Sequence, residues 1–184
     1  MIPGLDEAAA VVHAGGIVAY PTEGVYGLGC DPSNEEAVMR ILRLKQRDTS
    51  LGVLLLAASF EQLAPFIAPF TADVAARVLP TWPGPETWVV PASEHASVWL
   101  RGAHAGIAVR VTAHAPAAAL CRTAGMPLVS TSANRHGQAP ARTVEEVRAA
   151  FGDEVDCIVD APCGGAAGPT RIRDALTGAV LRAS

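Results

Sequence analysis

The strongest indications of the architecture of this chain lie in residues 17–31, which read IVAYPTEGVYGLGCD. Residues 17–20 are apolar and include β-branched side chains, a pattern that predicts a buried strand. Thr22 and Glu23 place polar groups directly after that strand, and the glycines at positions 24, 27 and 29 allow the backbone to approach a ligand closely or to adopt a positive φ. Because the glycine spacing is neither a dinucleotide fingerprint nor a P-loop, an ordinary tight turn is the alternative interpretation.

Short β-branched runs alternate with helical patterns on both sides of this stretch, without an internal repeat or a long linker. Helices are predicted at residues 5–14, 71–79, 116–124 and 143–151 and in a segment that begins at Asn34; strands are predicted at residues 17–20, 52–57, 87–90, 107–111, 127–130 and 157–160. This succession predicts a single domain, residues 1–184, of the α/β or α+β class, built on a twisted sheet of parallel and antiparallel strands. Clefts beyond strand ends are where such sheets hold ligands.

Composition limits the classes of partner and the compartment. Half of the 184 residues are apolar, which is enough to bury the core of one domain. The formal net charge of -4 predicts no general attraction to nucleic acid or to an anionic membrane, so any basic site must be local. The longest apolar runs, such as residues 53–58, are far shorter than the roughly 20 residues of a membrane span, and the first residues do not resemble a signal peptide. We therefore expect a soluble, cytoplasmic protein with no membrane partner.

The cysteines and histidines do not suggest a metal site. The four cysteines are widely spaced and form no CxxC pair, and the five histidines show neither HxxxH nor HExxH spacing. We therefore expect no metal bound by protein side chains, and we expect reduced thiols that serve mainly in packing.

Lys45 is the only lysine among fourteen basic residues. An ammonium is a compact point charge with three rotatable donors, which suits a phosphate that must be held at one point. Asn34, followed by two glutamates, predicts the start of a helix. The apolar face of that helix passes through Val38 and Ile41 and leads next to Lys45, so the lysine is predicted to leave the helix on its inward side. The alternative is a side chain whose apolar stem carries the charge out to water at the end of the helix.

Two arginines are further candidates for binding anions. Arg47 follows Lys45 by two residues, and at an unwinding helix end both cations can converge on a polyphosphate; a solvated, charged helix end is the alternative. Arg110 alternates with Val109 and Val111 in a predicted strand, so its side chain lies on the opposite face. If that face borders a cleft, the guanidinium suits a carboxylate or bicarbonate; otherwise it is simply the wet side of the strand.

Two other loops could contribute to a site. Residues 130–134, STSAN, place small hydrogen-bonding side chains at the end of a predicted strand, as sugar hydroxyls and phosphate oxygens require. A turn whose hydroxyls cap their own backbone is the alternative. The chain contains no G-x-S-x-G elbow, so a serine-hydrolase triad is rejected. Residues 164–170, GGAAGPT, form a loop that either covers a site or merely connects elements.

Taken together, these segments resemble the threonylcarbamoyl-AMP synthases of the YrdC-like family. The resemblance is carried by AYPTE at 19–23, YGLGCD at 26–31, LKQR at 44–47, WPGP at 82–85 with Thr87, AVRV at 108–111 and STSAN at 130–134. It covers essentially the whole chain and is closest to the short bacterial form that lacks a C-terminal extension. It implies a mixed, twisted sheet flanked by helices, with a large electropositive concave cavity.

The resemblance also implies an activity. Such an enzyme joins L-threonine, bicarbonate and ATP, with Mg²⁺ bound to the ATP, into L-threonylcarbamoyl adenylate and pyrophosphate. Downstream threonylcarbamoyl-transferase proteins then use the adenylate to form N6-threonylcarbamoyladenosine at position 37 of tRNA. In the mechanism we expect, the threonine amine captures bicarbonate or CO2 and the resulting N-carboxy anion attacks the α-phosphorus, so catalysis rests on positioning and electrostatics.

The resemblance assigns roles to nine residues of this chain. Lys45 and Arg47 are expected at the ATP phosphates as the catalytic cations, and Thr87, Ser132 and Asn134 near the nucleotide; Thr22, Arg110, Ser130 and Thr170 are candidates for threonine and bicarbonate. No general base is evident. Asp48 and Leu51 depart from the proline and the polar residue that many relatives carry, which predicts weaker ATP binding. Arg171 replaces a small residue common in longer members, which bears on the assignment of Thr170.

Two other functions remain as alternatives. One is an RNA-binding module that uses the same basic cavity for double-stranded RNA or tRNA without nucleotide turnover, although the net charge and the few aromatic residues argue against it. The other is a domain that handles a carbamoyl adenylate, as in hydrogenase maturation proteins. The absence of the accompanying acylphosphatase and zinc-finger segments argues against that function.

Overall fold

Seven α-helices and nine β-strands alternate along the part of the chain that the computed structural model describes, which is Ile2 and residues 4–183. The helices are α1 (Leu5–His13), α2 (Glu35–Lys45), α3 (Phe60–Leu63), α4 (Ala72–Val78), α5 (Val98–Arg101), α6 (Ala115–Ala124) and α7 (Val144–Phe151). The strands are β1 (Val18–Pro21), β2 (Tyr26–Gly29), β3 (Leu54–Ala57), β4 (Thr87–Pro91), β5 (Gly106–Val111), β6 (Leu128–Ser132), β7 (Cys157–Ile158), β8 (Ile172–Asp174) and β9 (Val180–Arg182). Within the described residues, no helix combines the length and the hydropathy needed to cross a bilayer.

Three helices, α2, α4 and α7, begin at residues whose side chains cap them. The Asn34 side chain accepts a hydrogen bond from the backbone N–H of Ala37, and the side chains of Thr71 and Thr143 cap α4 and α7 in the same way. Helix α2 ends at Gln46, whose φ of 50° is left-handed. This conformation turns the backbone sharply after Lys45, so that the next basic side chain leaves in a different direction.

The strands pair in one continuous ladder, in the order β7-β1-β2-β6-β3-β5-β4-β8-β9. The pairs β1–β7, β3–β5 and β4–β8 are parallel, and the remaining neighbours are antiparallel. The mixed sheet predicted from the sequence is therefore confirmed. Strands β8 and β9, which follow the last predicted strand, extend the sheet beyond β4.

Residues 26–29 form strand β2. The glycines in this stretch predicted a turn or loop instead. Strand β2 lies between β1 and β6, and Gly27 pairs with both Tyr20 and Ser132. A Cβ at Gly29 would lie 2.7 Å from the Tyr20 ring and 2.7 Å from the carbonyl oxygen of Val129. Gly29 is therefore needed because the neighbouring groups approach this strand too closely for a side chain at that position.

The sheet separates two apolar layers. On one face, α2 and α7 pack against residues such as Leu55, Trp88 and Val109. On the other face, α1 and α6 pack against Tyr20 and Leu56. The two helices cover only part of this second face, because three register neighbours on it line an open cavity instead: Leu54, Ala108 and Ser130.

Candidate functional site

The cavity on the partly covered face has a volume of about 830 Å³. Its walls come from β2, β3, β4, β5, β6, β8 and β9 and from the segments that connect them. Six of the residues that the sequence predicts for the site line it: Thr22, Arg47, Arg110, Ser130, Ser132 and Thr170. The other three lie directly behind these: Lys45 and Asn134 contact Ser132, and Thr87 contacts Thr170.

Lys45 leaves α2 on the inward side, as the apolar face of the helix predicts, and it is only 6% exposed. Its Nζ donates to the carbonyl oxygen of Ser132 at 2.5 Å, to the carbonyl oxygen of Asn134 at 2.9 Å and to the Oδ1 of Asn134 at 2.9 Å. The ammonium thus ties the end of α2 to the loop after β6. The alternative, in which the stem carries the charge out to open water, is wrong.

Opposing effects act on the protonation state of Lys45. Burial, and secondarily the nearby Arg47, lower the pKa of Lys45 to about 8. Its three oxygen acceptors favour the ammonium, because a neutral amine has only two hydrogens to donate. A polyphosphate that entered the cavity would add negative charge near the amine and would favour the protonated form further.

The polar side chains at the end of β6 and in the loop after it form hydrogen bonds mostly with groups of the same segment. The Ser132 Oγ donates to the Asn134 Oδ1 at 2.6 Å, and the Asn134 Nδ2 donates to the carbonyl oxygens of Arg135 and Gln138. The self-capping turn that the sequence left open therefore exists, and it coexists with a position at the cavity. The arrangement holds both side chains in place without a ligand.

Arg47 reaches the cavity because the left-handed Gln46 redirects the chain. The Arg47 Nη2 donates to the carbonyl oxygen of Gly52 at 3.1 Å, and its buried Nε has no hydrogen-bond partner among the described residues. Burial lowers the pKa of the Arg47 guanidinium. An incompletely paired buried cation of this kind is a natural partner for an anionic ligand.

Arg110 projects from β5 and is 5% exposed, so it lies at the cavity wall and not on a wet outer face. Its Nη2 lies 3.2 Å from the Glu23 Oε2, and its Nη1 donates to the Thr170 Oγ1. Thr87 Oγ1 lies 3.3 Å from Thr170 Oγ1. The structure therefore groups Thr87 with Arg110 and Thr170, and not with Lys45 and Asn134.

Two hydroxyls complete the wall near β1. The Thr22 Oγ1 donates to the carbonyl oxygen of Val25 at 2.7 Å, which closes the turn between β1 and β2 and leaves the oxygen lone pairs available. Ser130 is buried at the cavity, and the buried Tyr20 hydroxyl behind it has no hydrogen-bond partner among the described residues. Burial raises the pKa of Tyr20, so this hydroxyl is neutral.

The loop of residues 164–170 covers one side of the cavity and is not merely a connection. The backbone N–H of Gly164 donates to the carbonyl oxygen of Thr22 at 3.0 Å, and that of Ala166 donates to the carbonyl oxygen of Glu23 at 2.9 Å. Gly24 packs so closely beneath the loop that a Cβ there would overlap the carbonyl oxygen of Gly168. The loop ends at Thr170, and so it carries a site residue into the wall.

Sequence reasoning missed Arg182, which lies on β9 and lines the cavity. Its Nη2 donates to the carbonyl oxygen of Thr170 at 2.7 Å. Burial lowers the pKa of Arg182, as do the nearby Arg110 and Arg47. All three arginines line the same cavity. No local sequence signal could have identified Arg182, since it is adjacent to the cavity only because β8 and β9 extend the sheet.

The cavity is electropositive although the chain carries a net charge of -4. Its lining includes the side chains of Arg47, Arg101, Arg110 and Arg182, while Asp174 supplies the carboxylate among the described lining residues. Asp48 is exposed and accepts a hydrogen bond from the backbone of Ser50, and Leu51 lines the cavity while 56% exposed. Over Ile2 and residues 4–183, no cluster of three or more histidine, cysteine or acidic side chains could hold a metal ion.

The sequence matches a known family over nearly its whole length. The family model Sua5_yciO_yrdC, described as telomere recombination, matches residues 10–184. The threonylcarbamoyl-AMP synthase of Nitrosococcus oceani is 53% identical over 175 residues, which are 95% of this chain and 95% of that protein.

Solved structures share the fold. P. abyssi Sua5 complexed with L-threonine has a TM-score of 0.87 and 32% sequence identity, over 92% of this chain and 50% of that chain. This chain therefore spans about half the length of that Sua5 protein. Full-length HypF, in a phosphate- and nucleotide-bound form, has a TM-score of 0.77 over 92% of this chain and 27% of its own, but at 16% identity the similarity concerns the fold alone.

Proposed function

The chain belongs to the Sua5/YciO/YrdC family, and we propose that it is a threonylcarbamoyl-AMP synthase, which forms L-threonylcarbamoyl adenylate and pyrophosphate from L-threonine, bicarbonate and ATP. The observation that carries the proposal is the convergence of Arg47, Arg110 and Arg182 at one cavity, next to the buried Lys45. Cations gathered this closely repel one another unless an anion joins them, and the phosphates of ATP and the carboxylate of threonine are such anions.

We assign the end of the cavity near α2 to ATP. Arg47 offers unpaired donors to the phosphates, and Ser132 and Asn134 form the adjoining wall. Lys45 would reach a phosphate oxygen by exchanging one of its three protein acceptors for it. Asp174 alone could not cage Mg²⁺, which prefers six oxygen ligands, so we propose that Mg²⁺ arrives on the ATP phosphates.

We assign the end near β1 and the 164–170 loop to threonine and bicarbonate. The Sua5 protein of similar fold was solved in complex with L-threonine. The guanidinium of Arg110 suits the threonine carboxylate, while Thr22, Ser130 and Thr170 supply hydroxyl groups around it. Thr87 supports this group from behind, through Thr170.

The chemistry requires positioning more than a side-chain nucleophile. The deprotonated threonine amine forms a new N–C bond with CO2 and releases a proton to solvent, or it forms this bond with bicarbonate, in which case a C–O bond breaks and water leaves. An oxygen of the resulting carbamate attacks the α-phosphorus of ATP. The bond from the α-phosphorus to the bridging oxygen breaks, and pyrophosphate leaves. Fixed cations that face the phosphates stabilise the charge that accumulates in this step.

The adenylate would then pass to threonylcarbamoyl-transferase proteins that modify tRNA in the cytoplasm. Direct RNA binding without turnover is a weaker function for this cavity, because the cations converge inside a hollow of about 830 Å³ and do not form a stripe along an exposed surface. Such a stripe would be needed to follow a nucleic-acid backbone.

Pyrophosphate release tests the proposed reaction directly. With L-threonine, bicarbonate and Mg-ATP all present, we expect continuous release of pyrophosphate, and we expect omission of any one of them to stop it. A coupled phosphate assay gives the rates, and mass spectrometry identifies the adenylate. Release that persists without threonine, or no release with the full set, would contradict the proposal.

The single lysine of the chain provides a probe of the phosphate site. In protein labelled with ¹³C-lysine, the one lysine Cε resonance should titrate with a pKa of about 8, because burial and Arg47 disfavour the charged form. Saturating ATP should raise this pKa, since the phosphates favour the ammonium. By linkage, the affinity for ATP should then fall as the pH rises through about 8. A pKa that ATP leaves unchanged would place the phosphates away from Lys45.

A further inference from the structure

We propose that Glu23 is a positioning residue for the threonine carboxylate, which acts by holding the guanidinium of Arg110 in the orientation that the substrate requires. The inference rests on the proposed function, in which Arg110 binds that carboxylate. Glu23 itself is not part of the cavity lining, so it acts through Arg110 and does not contact the substrate.

The Glu23 carboxylate is fixed from two sides. Its side chain is 13% exposed, and its Oε1 accepts a hydrogen bond from the Thr112 Oγ1 at 2.6 Å. The Thr112 Oγ1 in turn accepts from the backbone N–H of His114 at 3.0 Å, at the start of α6. The other carboxylate oxygen, Oε2, lies 3.2 Å from the Arg110 Nη2, where it forms an ion pair without a hydrogen bond from the described residues. Glu23 therefore connects the turn after β1 to the end of β5 at a defined point.

Arg110 needs such a partner because its surroundings are unfavourable for a lone cation. Burial lowers the pKa of Arg110, while Glu23 opposes that effect. Arg182 lies close enough for the two guanidinium groups to repel each other, and both hold the same residue, Thr170. Without the charge on Glu23, repulsion would favour withdrawal of Arg110 from this position.

The contacts also determine which donors of Arg110 remain for a ligand. Nη2 faces Glu23 and Nη1 donates to Thr170, while the buried Nε has no hydrogen-bond partner among the described residues. A guanidinium held at two points has a fixed plane, and a planar carboxylate recognises such a fork in a defined orientation. We infer that Glu23 thereby contributes to binding of the amino-acid substrate and contributes little to binding of ATP.

The test compares the kinetics of Glu23→Gln with those of the unmodified protein, by pyrophosphate release with all three substrates. We expect the KM for threonine to rise about tenfold or more, the factor of one charge-assisted hydrogen bond, while the KM for ATP stays unchanged. A merely structural defect would lower kcat or raise both KM values together. Glu86→Gln is the matched control, because Glu86 pairs with Arg171 at 3.5 Å and does not line the cavity, and it should leave both KM values unchanged.

A second variant decides the matter if Glu23→Gln does not fold, as judged by circular dichroism. Thr112→Val keeps the charge pair but removes the hydroxyl that orients the carboxylate. This variant should also raise the KM for threonine, but by a smaller factor than Glu23→Gln does. If the unmodified protein turns over and the folded variants keep its KM for threonine, the role of Glu23 is refuted and the proposed function stands. If the unmodified protein releases no pyrophosphate, the proposed function fails and the role of Glu23 falls with it.

Discussion

We expect the replacement of Lys45 by alanine to lower kcat by about 10³-fold or more, while the protein remains folded. The variant removes positive charge beside the phosphates and also the group that holds the carbonyl oxygens of Ser132 and Asn134. The free energy of unfolding should change little, because burial already disfavours the charged form of the ammonium that is lost. Ser132 lines the cavity and Asn134 is half-buried, so water can reach the oxygens that the ammonium leaves. Pyrophosphate release and thermal unfolding measure the two effects separately.

Two companion variants separate the charge of Lys45 from its packing. Lys45→Met keeps the apolar stem without the ammonium, so it should be as inactive as the alanine variant. Arg43→Ala removes an exposed cation from the same helix and should behave like the unmodified protein. Normal turnover by Lys45→Met would exclude the ammonium from the reaction.

Replacing Arg110 by leucine should both abolish threonine-dependent turnover and destabilise the protein by about 3–5 kcal/mol, the usual result of breaking a buried ion pair from one side. The large effect arises because Glu23, 13% exposed, loses the cation that lies 3.2 Å from its carboxylate. Thr112 would still donate to the carboxylate, but one neutral hydrogen bond does not replace a charge. Denaturant unfolding monitored by circular dichroism measures the loss of stability.

The double variant Arg110→Leu with Glu23→Gln distinguishes an unpaired charge from lost packing. Removing the carboxylate as well should restore about 1–3 kcal/mol, because the buried charge that Arg110 had compensated is then absent. The double variant should remain inactive, since the donor for the threonine carboxylate is still missing. Stability losses that simply add in the double variant would mean that Glu23 and Arg110 are not energetically coupled.

Local chemistry was sufficient for much of the fold. The helix starts at Asn34, Thr71 and Thr143 were predictable, and each of these side chains caps its helix by accepting from a backbone N–H three residues on. Strand β2 was not identifiable, because its glycines are favoured in loops, and here Gly29 allows close packing against Tyr20. Strands β8 and β9 are three residues each and mostly half-exposed or exposed, so they lack the apolar alternation that identifies a strand.

The site, like the fold, was predictable from the sequence only in part. The inward direction of Lys45 follows from helical periodicity, and the STSAN loop follows from its strand-end position. Arg182 was missed, and the position of Thr87 beside Arg110 and Thr170 was not foreseen, because their neighbours come from remote segments. Thr87 meets Thr170, 83 positions away in sequence, and Arg182 lines the same cavity as Arg47 and Arg110.

Periodicity, capping and turn chemistry act between residues a few positions apart, so the sequence alone was enough to predict five of the seven helices, α1, α2, α4, α6 and α7. It was also enough to predict the strands β1 and β3 to β7 and the types of residue available for anion binding. The convergence of Arg47, Arg110 and Arg182, and the pairing of Arg110 with Glu23, depend on the order of nine paired strands. Electrostatic interactions act through space and not along the chain. For that reason only the folded structure shows which cations surround one anion-binding cavity and which carboxylate pairs with one of these cations.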